Sequence, residues 1–262
     1  MKIITGMHRS GTSFACQLLY EAGGKFCQEK DMLKTDKWNK GGYYESKKVV
    51  MMNDKLILGS CLLPKAFRDL PEHERPLYSK ILMSIAKIRY LLKFDGKTIN
   101  KRGIKNNQKI SQIVSNLDCA YLKDPRFTLT LDIWSEHMDI NDVLLVYRNP
   151  YEVALSIKKR EGLPVQLGLN LWNRHMQNFL DMAHRYNVTY LNFNHFFDKK
   201  RKEKAISKCV QFTGACDQRA FVKAYEKVVN REYLNNSVSK LKLPKNIAET
   251  WSFLESNEEK TL

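Results

Sequence analysis

The sequence predicts a single α/β domain built on a parallel sheet with helices on both faces, and three observations carry that prediction. Four short apolar runs have the length and composition of buried strands: Lys2 to Thr5, Cys119 to Lys123, Asp142 to Tyr147 and Val188 to Phe193. Stretches of helical periodicity separate them, the alternation expected when parallel strands are joined by crossover helices. The first run leads directly into Gly6-Met7-His8-Arg9-Ser10-Gly11-Thr12-Ser13, a glycine-bounded turn that opens a helix. Backbone N–H groups and a helix N-terminus in that context form a phosphate cradle.

Each element follows from local chemistry. After the loop a helix is expected through about Ala22. The stretch from Leu62 to Asn107 is the least regular, with Pro64, Pro71 and Pro76, a helix around Tyr78 to Leu92, and the basic segment Lys101-Arg102-Gly103-Ile104-Lys105. It is read as a helical or irregular insertion at about 60–115, lying over one edge of the sheet within one domain spanning 1–262. The second strand is stopped by Asp124-Pro125. The third is the clearest, because Val143-Leu144-Leu145-Val146 is continuously apolar. Asn149 is suited to cap the next helix and Pro150 to its first turn. Beyond Pro164, apolar residues at Leu169, Trp172, Met176, Phe179 and Ala183 mark a core-facing helical stripe. Helices from about Glu203 to Phe212 and Gln218 to Val229 close the C-terminal side.

Composition limits the partners. The 262 residues carry 44 Lys and Arg against 28 Asp and Glu, a net charge of +16. Such an excess attracts polyanions: nucleic acid, an anionic membrane surface or a small, multiply phosphorylated ligand. The run Lys199-Lys200-Arg201-Lys202-Glu203-Lys204 is read as a solvated helix face. Cys16, Cys27, Cys61, Cys119, Cys209 and Cys216 are scattered without a CxxC pair, and no histidines cluster at ligand spacing. They are read as reduced thiols, mostly buried, and no metal is expected. Ile3-Ile4 is too short for a secretory signal, and no apolar stretch approaches the ~18 residues of a membrane span. A cytoplasmic protein is the expectation.

The glycine loop reads G-x-x-x-x-G-T-S. An ATPase or kinase P-loop carries Lys where Thr12 stands, to reach the β- and γ-phosphates. Here the cation is Arg9, inside the loop, which suits a donor whose leaving group is a single 5′-phosphate. A second cation, Arg148, ends the third strand at its carboxyl edge, where open α/β sheets bind ligands. Ser156 lies about two turns into the following helix.

These two segments together resemble the donor-binding motifs of the PAPS (3′-phosphoadenosine 5′-phosphosulfate)-dependent sulfotransferase family, especially its soluble bacterial and carbohydrate members. Gly6 to Ser13 is similar to the family's 5′-phosphosulfate loop, and Tyr147-Arg148-Asn149-Pro150-Tyr151-Glu152-Val153-Ala154-Leu155-Ser156 to its 3′-phosphate segment. Gly41-Gly42-Tyr43-Tyr44-Glu45 with Asn53-Asp54, Leu122-Lys123-Asp124-Pro125-Arg126 and Trp172 extend the resemblance to about residue 195. Residues 60 to 115 match poorly and nothing after about 200 is diagnostic.

The resemblance implies a P-loop-type, sulfotransferase-like sheet and a sulfuryl transfer from PAPS to an acceptor hydroxyl or amine, leaving PAP. A saccharide or glycan is the first acceptor class and a small alcohol or phenol the second, with the 60–115 insertion covering the acceptor side. Arg9, Ser10, Gly11, Thr12 and Ser13 are expected to hold the 5′ side of the donor, and Arg148 and Ser156 the 3′-phosphate. Arg9 also stabilises the leaving phosphate. Glu45 is the candidate general base, with His8 as competitor. Lys123 and Arg126 either line the acceptor side, bind donor oxygens or form structural ion pairs. Two other readings stand beside this one. A P-loop kinase would use Asp124 as its metal-binding acid, and a nucleic-acid-binding protein would account for the charge. The missing Lys opposes the first, and no interleaved aromatic–basic motif supports the second.

Overall fold

A computed structural model describes residues 1–35, 41–59, 95–214, 217–229 and 242–260. Among them four parallel strands form one sheet: β1 (Lys2–Thr5), β2 (Tyr121–Lys123), β3 (Asp142–Tyr147) and β4 (Asn187–Asn192). Their spatial order is β2-β1-β3-β4. Ile4 is in register with both Lys123 and Leu144, and Tyr147 with Asn192. The helices in chain order are α1 (Thr12–Glu21), α2 (Lys47–Leu58), α3 (Gly96–Lys105), α4 (Asn107–Ser115) and α5 (Phe127–Ser135). They continue with α6 (Pro150–Glu161), α7 (Val165–Ala183), α8 (Lys202–Thr213), α9 (Gln218–Val228) and α10 (Lys245–Lys260).

The predicted α/β class is the one observed, and the alternation of side chains along β3 explains why both faces are covered. Successive strand residues point to opposite faces. Val143, Leu145 and Tyr147 pack with Ile3 and Leu122 against α2 to α7 and α10. Leu144 and Val146 pack with Ile4 and Leu191 against α1, α8 and α9. All five of these β3 side chains are fully buried, which is why that strand reads as an unbroken apolar run rather than an alternating one.

The expected helix at Tyr78 to Leu92, with the rest of residues 60–94, lies outside the described residues. The remainder of the expected insertion is helical. Arg102, in its basic segment, donates from Nη1 to the carbonyls of Leu56 and Ile57 at 2.9 and 2.6 Å. It thereby satisfies carbonyls left open at the C-terminus of α2.

The C-terminal region, where the two expected helices are observed as α8 and α9 and are joined by α10, locks the β4 edge. The Tyr147 hydroxyl donates to Glu255 and Glu258 of α10 at 2.9 and 2.6 Å. The fully buried Lys208 of α8 donates to the carbonyls of Tyr190 and Glu258. Helix α10 is thus held to the sheet by polar bonds as well as by Ile247 and Leu254.

The strand order matters for function. From β1 the chain moves to β2 on one side, then returns across to β3 and β4 on the other. The order therefore reverses between β1 and β3, and the crevice at their carboxyl ends is the position where open α/β sheets take ligands.

Candidate active site

Both sequence motifs emerge at that crevice, one from each strand. Gly6 follows β1 so closely against β3 that a Cβ on it would sit 1.9 Å from the Val146 carbonyl oxygen. The loop then turns tightly, with the Ser10 N–H donating to the Met7 carbonyl at 3.1 Å. Arg9 and Gly11 take left-handed backbone angles, φ 71° and 90°. For Arg9 that conformation costs on the order of 1–2 kcal/mol. A Cβ at Gly11 would meet the Phe193 ring at 2.1 Å.

Helix α1 begins at Thr12 with Gly11 as its N-cap, no side-chain cap bond and no acidic residue in its first turn. Helices α3, α6 and α9, by contrast, are capped by the side chains of Asp95, Asn149 and Asp217. The α1 N-terminus thus keeps a partial positive charge that no side-chain cap or first-turn acid of its own offsets, the setting in which helix ends bind anions. The Ser10 Oγ, fully buried in the same turn, has no hydrogen-bond partner among the described residues. A loop that holds an uncapped helix end, an orphaned hydroxyl and an arginine fits the 5′ phosphate end of the expected donor.

Arg148 follows β3, buried, with its guanidinium 4.8 Å over the Phe193 ring and its Nε donating to Glu152 at 2.6 Å. The Trp172 indole N–H fixes the Arg148 carbonyl at 3.1 Å, and Asn194 donates to the other Glu152 oxygen at 3.0 Å. Ser156 is joined to the loop: its Oγ accepts from Arg9 Nε at 2.9 Å. The structure therefore brings together Arg9 and Ser156, 147 residues apart. It also sets Arg148 on the aromatic ring that packs against Gly11.

Glu45, Lys123 and Arg126 form one buried polar network. The Lys123 ammonium, on a side chain 1% exposed, reaches Glu45 at 2.5 Å, the Tyr43 carbonyl at 3.1 Å and Ser13 Oγ at 3.2 Å. Its three donors are matched by three acceptors. Arg126 lies 3.7 Å from Glu45, 2.7 Å from Asp54 and 3.1 Å from Asp124. Both cations thus make the ion pairs that the sequence left open for them, and Lys123 also links Glu45 to the phosphate loop. Burial pushes the Glu45 carboxyl above the ordinary glutamate range, against the opposing pull of Lys123 and Arg126.

His8 lies edge-on to His175, with ring centroids 6.3 Å apart. Burial, and then the Arg126 charge, hold His8 well below the usual imidazole range. His175 is lowered to about 3 by burial and Arg126, and its Nδ1 meets the Thr128 hydroxyl at 2.6 Å.

Sequence reasoning missed Phe193, Asn194, Thr128 and His175, and took Arg148 without its partner Glu152. The Arg148–Glu152 spacing of four was readable as a helical ion pair. Phe193 gave no signal, because it ended an apolar run like any core residue. Among the described residues one group gathers metal-type ligand atoms, His195, Glu255 and Glu258. Arg201 on the His195 ring at 2.7 Å and Lys208 beside Glu258 at 3.7 Å make it an ion-pair network instead.

No protein-family model and no curated protein matches the chain. Among solved structures, it is similar to the sulfotransferase domain of the Synechococcus PCC 7002 olefin synthase, with a TM-score of 0.50 and 14% identity. The likeness covers 98% of this chain and 94% of that one. At that identity it shows the fold alone, a P-loop-like α/β fold. Among the described residues no helix is long and apolar enough to cross a membrane.

Proposed function

We propose that this protein is a PAPS-dependent sulfotransferase acting on an acceptor hydroxyl or amine. The observation that carries this reading is the pairing of an uncapped, arginine-bearing helix N-terminus after β1 with Arg148 after β3 at the sheet's switch point. One anion-binding turn alone fits many phosphate ligands. Two cationic positions on adjacent strand ends fit a nucleotide that is charged at both its 5′ and 3′ positions.

The donor supplies an activated sulfuryl group on a 5′-phosphate. Arg9 and the N–H groups opening α1 meet the charge that grows on that phosphate as its bond to sulfur breaks, a contribution concentrated in the transition state. Arg148, backed by Phe193, and Ser156 meet the 3′-phosphate, and the Ser156 Oγ also accepts from Arg9 Nε. Glu45 takes the acceptor proton, its carboxyl made more basic by burial. Lys123 fixes Glu45 relative to Ser13 and so to the donor. His8, kept neutral, is the rival base from within the loop. A saccharide hydroxyl is the proposed acceptor class.

The kinase reading loses support from Asp124. Its Oδ2 accepts from Asn53 at 2.9 Å, and its Oδ1 from the Arg126 N–H and guanidinium at 2.8 and 3.1 Å. The proposal is tested by calorimetry with PAP and with magnesium-ATP, followed by labelled PAPS and a panel of glycans and small alcohols read by mass shift. Binding of PAP and a sulfated product support it. Binding of magnesium-ATP without PAP overturns it.

A further inference from the structure

Of the four cysteines among the described residues, two are not the fully buried thiols that the sequence led us to expect for most of them. Cys16 and Cys209 are buried, whereas Cys27 and Cys119 are half-buried, with their sulfurs 3.2 Å apart. Cys27 lies just after α1 and Cys119 just before β2. Their backbones are held side by side, because the N–H groups of Ala120 and Tyr121 donate to the Lys25 carbonyl at 2.9 and 3.2 Å. Lys25 and Asp118 form an ion pair on the outside of the same contact. The neighbours Lys25, Gln28, Asp118 and Ala120 are exposed, so the pair sits under a solvent-facing surface.

We infer that Cys27 and Cys119 are a reversible dithiol–disulfide pair, a modification site for thiol–disulfide exchange with low-molecular-weight disulfides. A bridge requires the sulfurs to approach to about 2.05 Å, a movement of roughly 1 Å from their present separation. The two thiols also differ in kind. The hydrogen bond between the two sulfurs draws the Cys27 thiol below its ordinary range and raises Cys119. Cys27 is therefore the attacking sulfur and Cys119 the resolving one.

The exchange balances in two steps. Cys27 thiolate attacks one sulfur of the small disulfide, forming a mixed disulfide and expelling one small thiolate. Cys119, after losing its proton, attacks the Cys27 sulfur, forming the protein bridge and expelling the second small thiolate. The two protein thiols are oxidised, the small disulfide is reduced to two thiols, and the two thiol protons pass to the departing thiolates. The bridge ties the end of the α1 segment to the edge strand β2 and closes a loop of 92 residue steps that contains Glu45 and α2 to α4.

The full-length protein is incubated with oxidised glutathione, alkylated, digested and read by mass spectrometry. The expected result is a Cys27–Cys119 linked peptide that dithiothreitol removes, with Cys16 and Cys209 unchanged. Bridging should raise the Tm by on the order of 5–10 °C, as a closed loop of this length constrains the unfolded chain. Cys119→Ser should instead trap a stable glutathione adduct on Cys27, and Cys27→Ser should leave Cys119 unmodified. Recovery of Cys27 and Cys119 as alkylated thiols, or as separate glutathione adducts in the wild-type protein, overturns the inference.

Discussion

Arg148, the proposed 3′-phosphate residue, is held from three sides. Its carbonyl is pinned by Trp172, its Nε by Glu152, and its guanidinium lies 4.8 Å over the Phe193 ring. Arg148→Ala should therefore weaken PAP binding by roughly 1.5–3 kcal/mol, the range for a hydrogen bond to a charged group, in a protein that still folds. Unchanged affinity by calorimetry would remove Arg148 from the donor site. Glu45 is the complementary case, an acid made more basic by burial. A general base works only when deprotonated, so turnover should fall as pH drops through a value above the ordinary glutamate range. Glu45→Gln should keep PAP binding while turnover falls ~10²–10⁴-fold. Near-normal turnover in that variant would pass the base role to His8.

Local structure was legible where it depended on adjacent residues. The bounds of β1 and β3 agree with the sequence reading, and Asn149 caps α6 with a 3.0 Å bond to the Tyr151 N–H. What lay hidden was every partnership made across the chain. Nothing local to Arg9 announces Ser156, and nothing in the mixed polar composition of α10 announces that Glu258 anchors the Tyr147 end of β3. The glycine loop joins the two levels. Its pattern was visible, but the reason Gly6 is glycine emerges only from the Val146 carbonyl of a neighbouring strand. Because that obstacle is backbone, it cannot swing aside as a side chain would. Gly6→Ala should destabilise the fold by about 2–4 kcal/mol, combining overpacking with an unfavourable positive φ. Urea unfolding reads this directly, and a wild-type midpoint would contradict the strand-to-loop contact.

At the scale of the whole molecule, placing the site on the buried ends of β1 and β3 makes stability depend on pH. His175 titrates near 3 in the folded protein and near 6.5 when unfolded. Between those values the unfolded chain binds a proton that the native protein does not, so stability falls as pH falls. The slope is about 1.4 kcal/mol per pH unit for one such group, or roughly 2 kcal/mol from pH 6.5 to 5. His8 is shifted the same way and adds to the loss. Glu45 is shifted upward and acts in the opposite sense, since its folded form holds a proton more tightly than the unfolded one as pH falls towards the ordinary carboxylate range. Two lowered histidines against one raised carboxylate leave a net loss on the acid side. Unfolding free energies at pH 7.5, 6 and 5 should therefore decline, and His175→Gln should flatten the decline by about one proton. A flat wild-type profile, or an unaltered slope in the variant, would show that His175 is not held neutral. In the proposed reaction the base shares its surroundings with these histidines: the burial that raises Glu45 also keeps His8, within the loop, and His175 neutral.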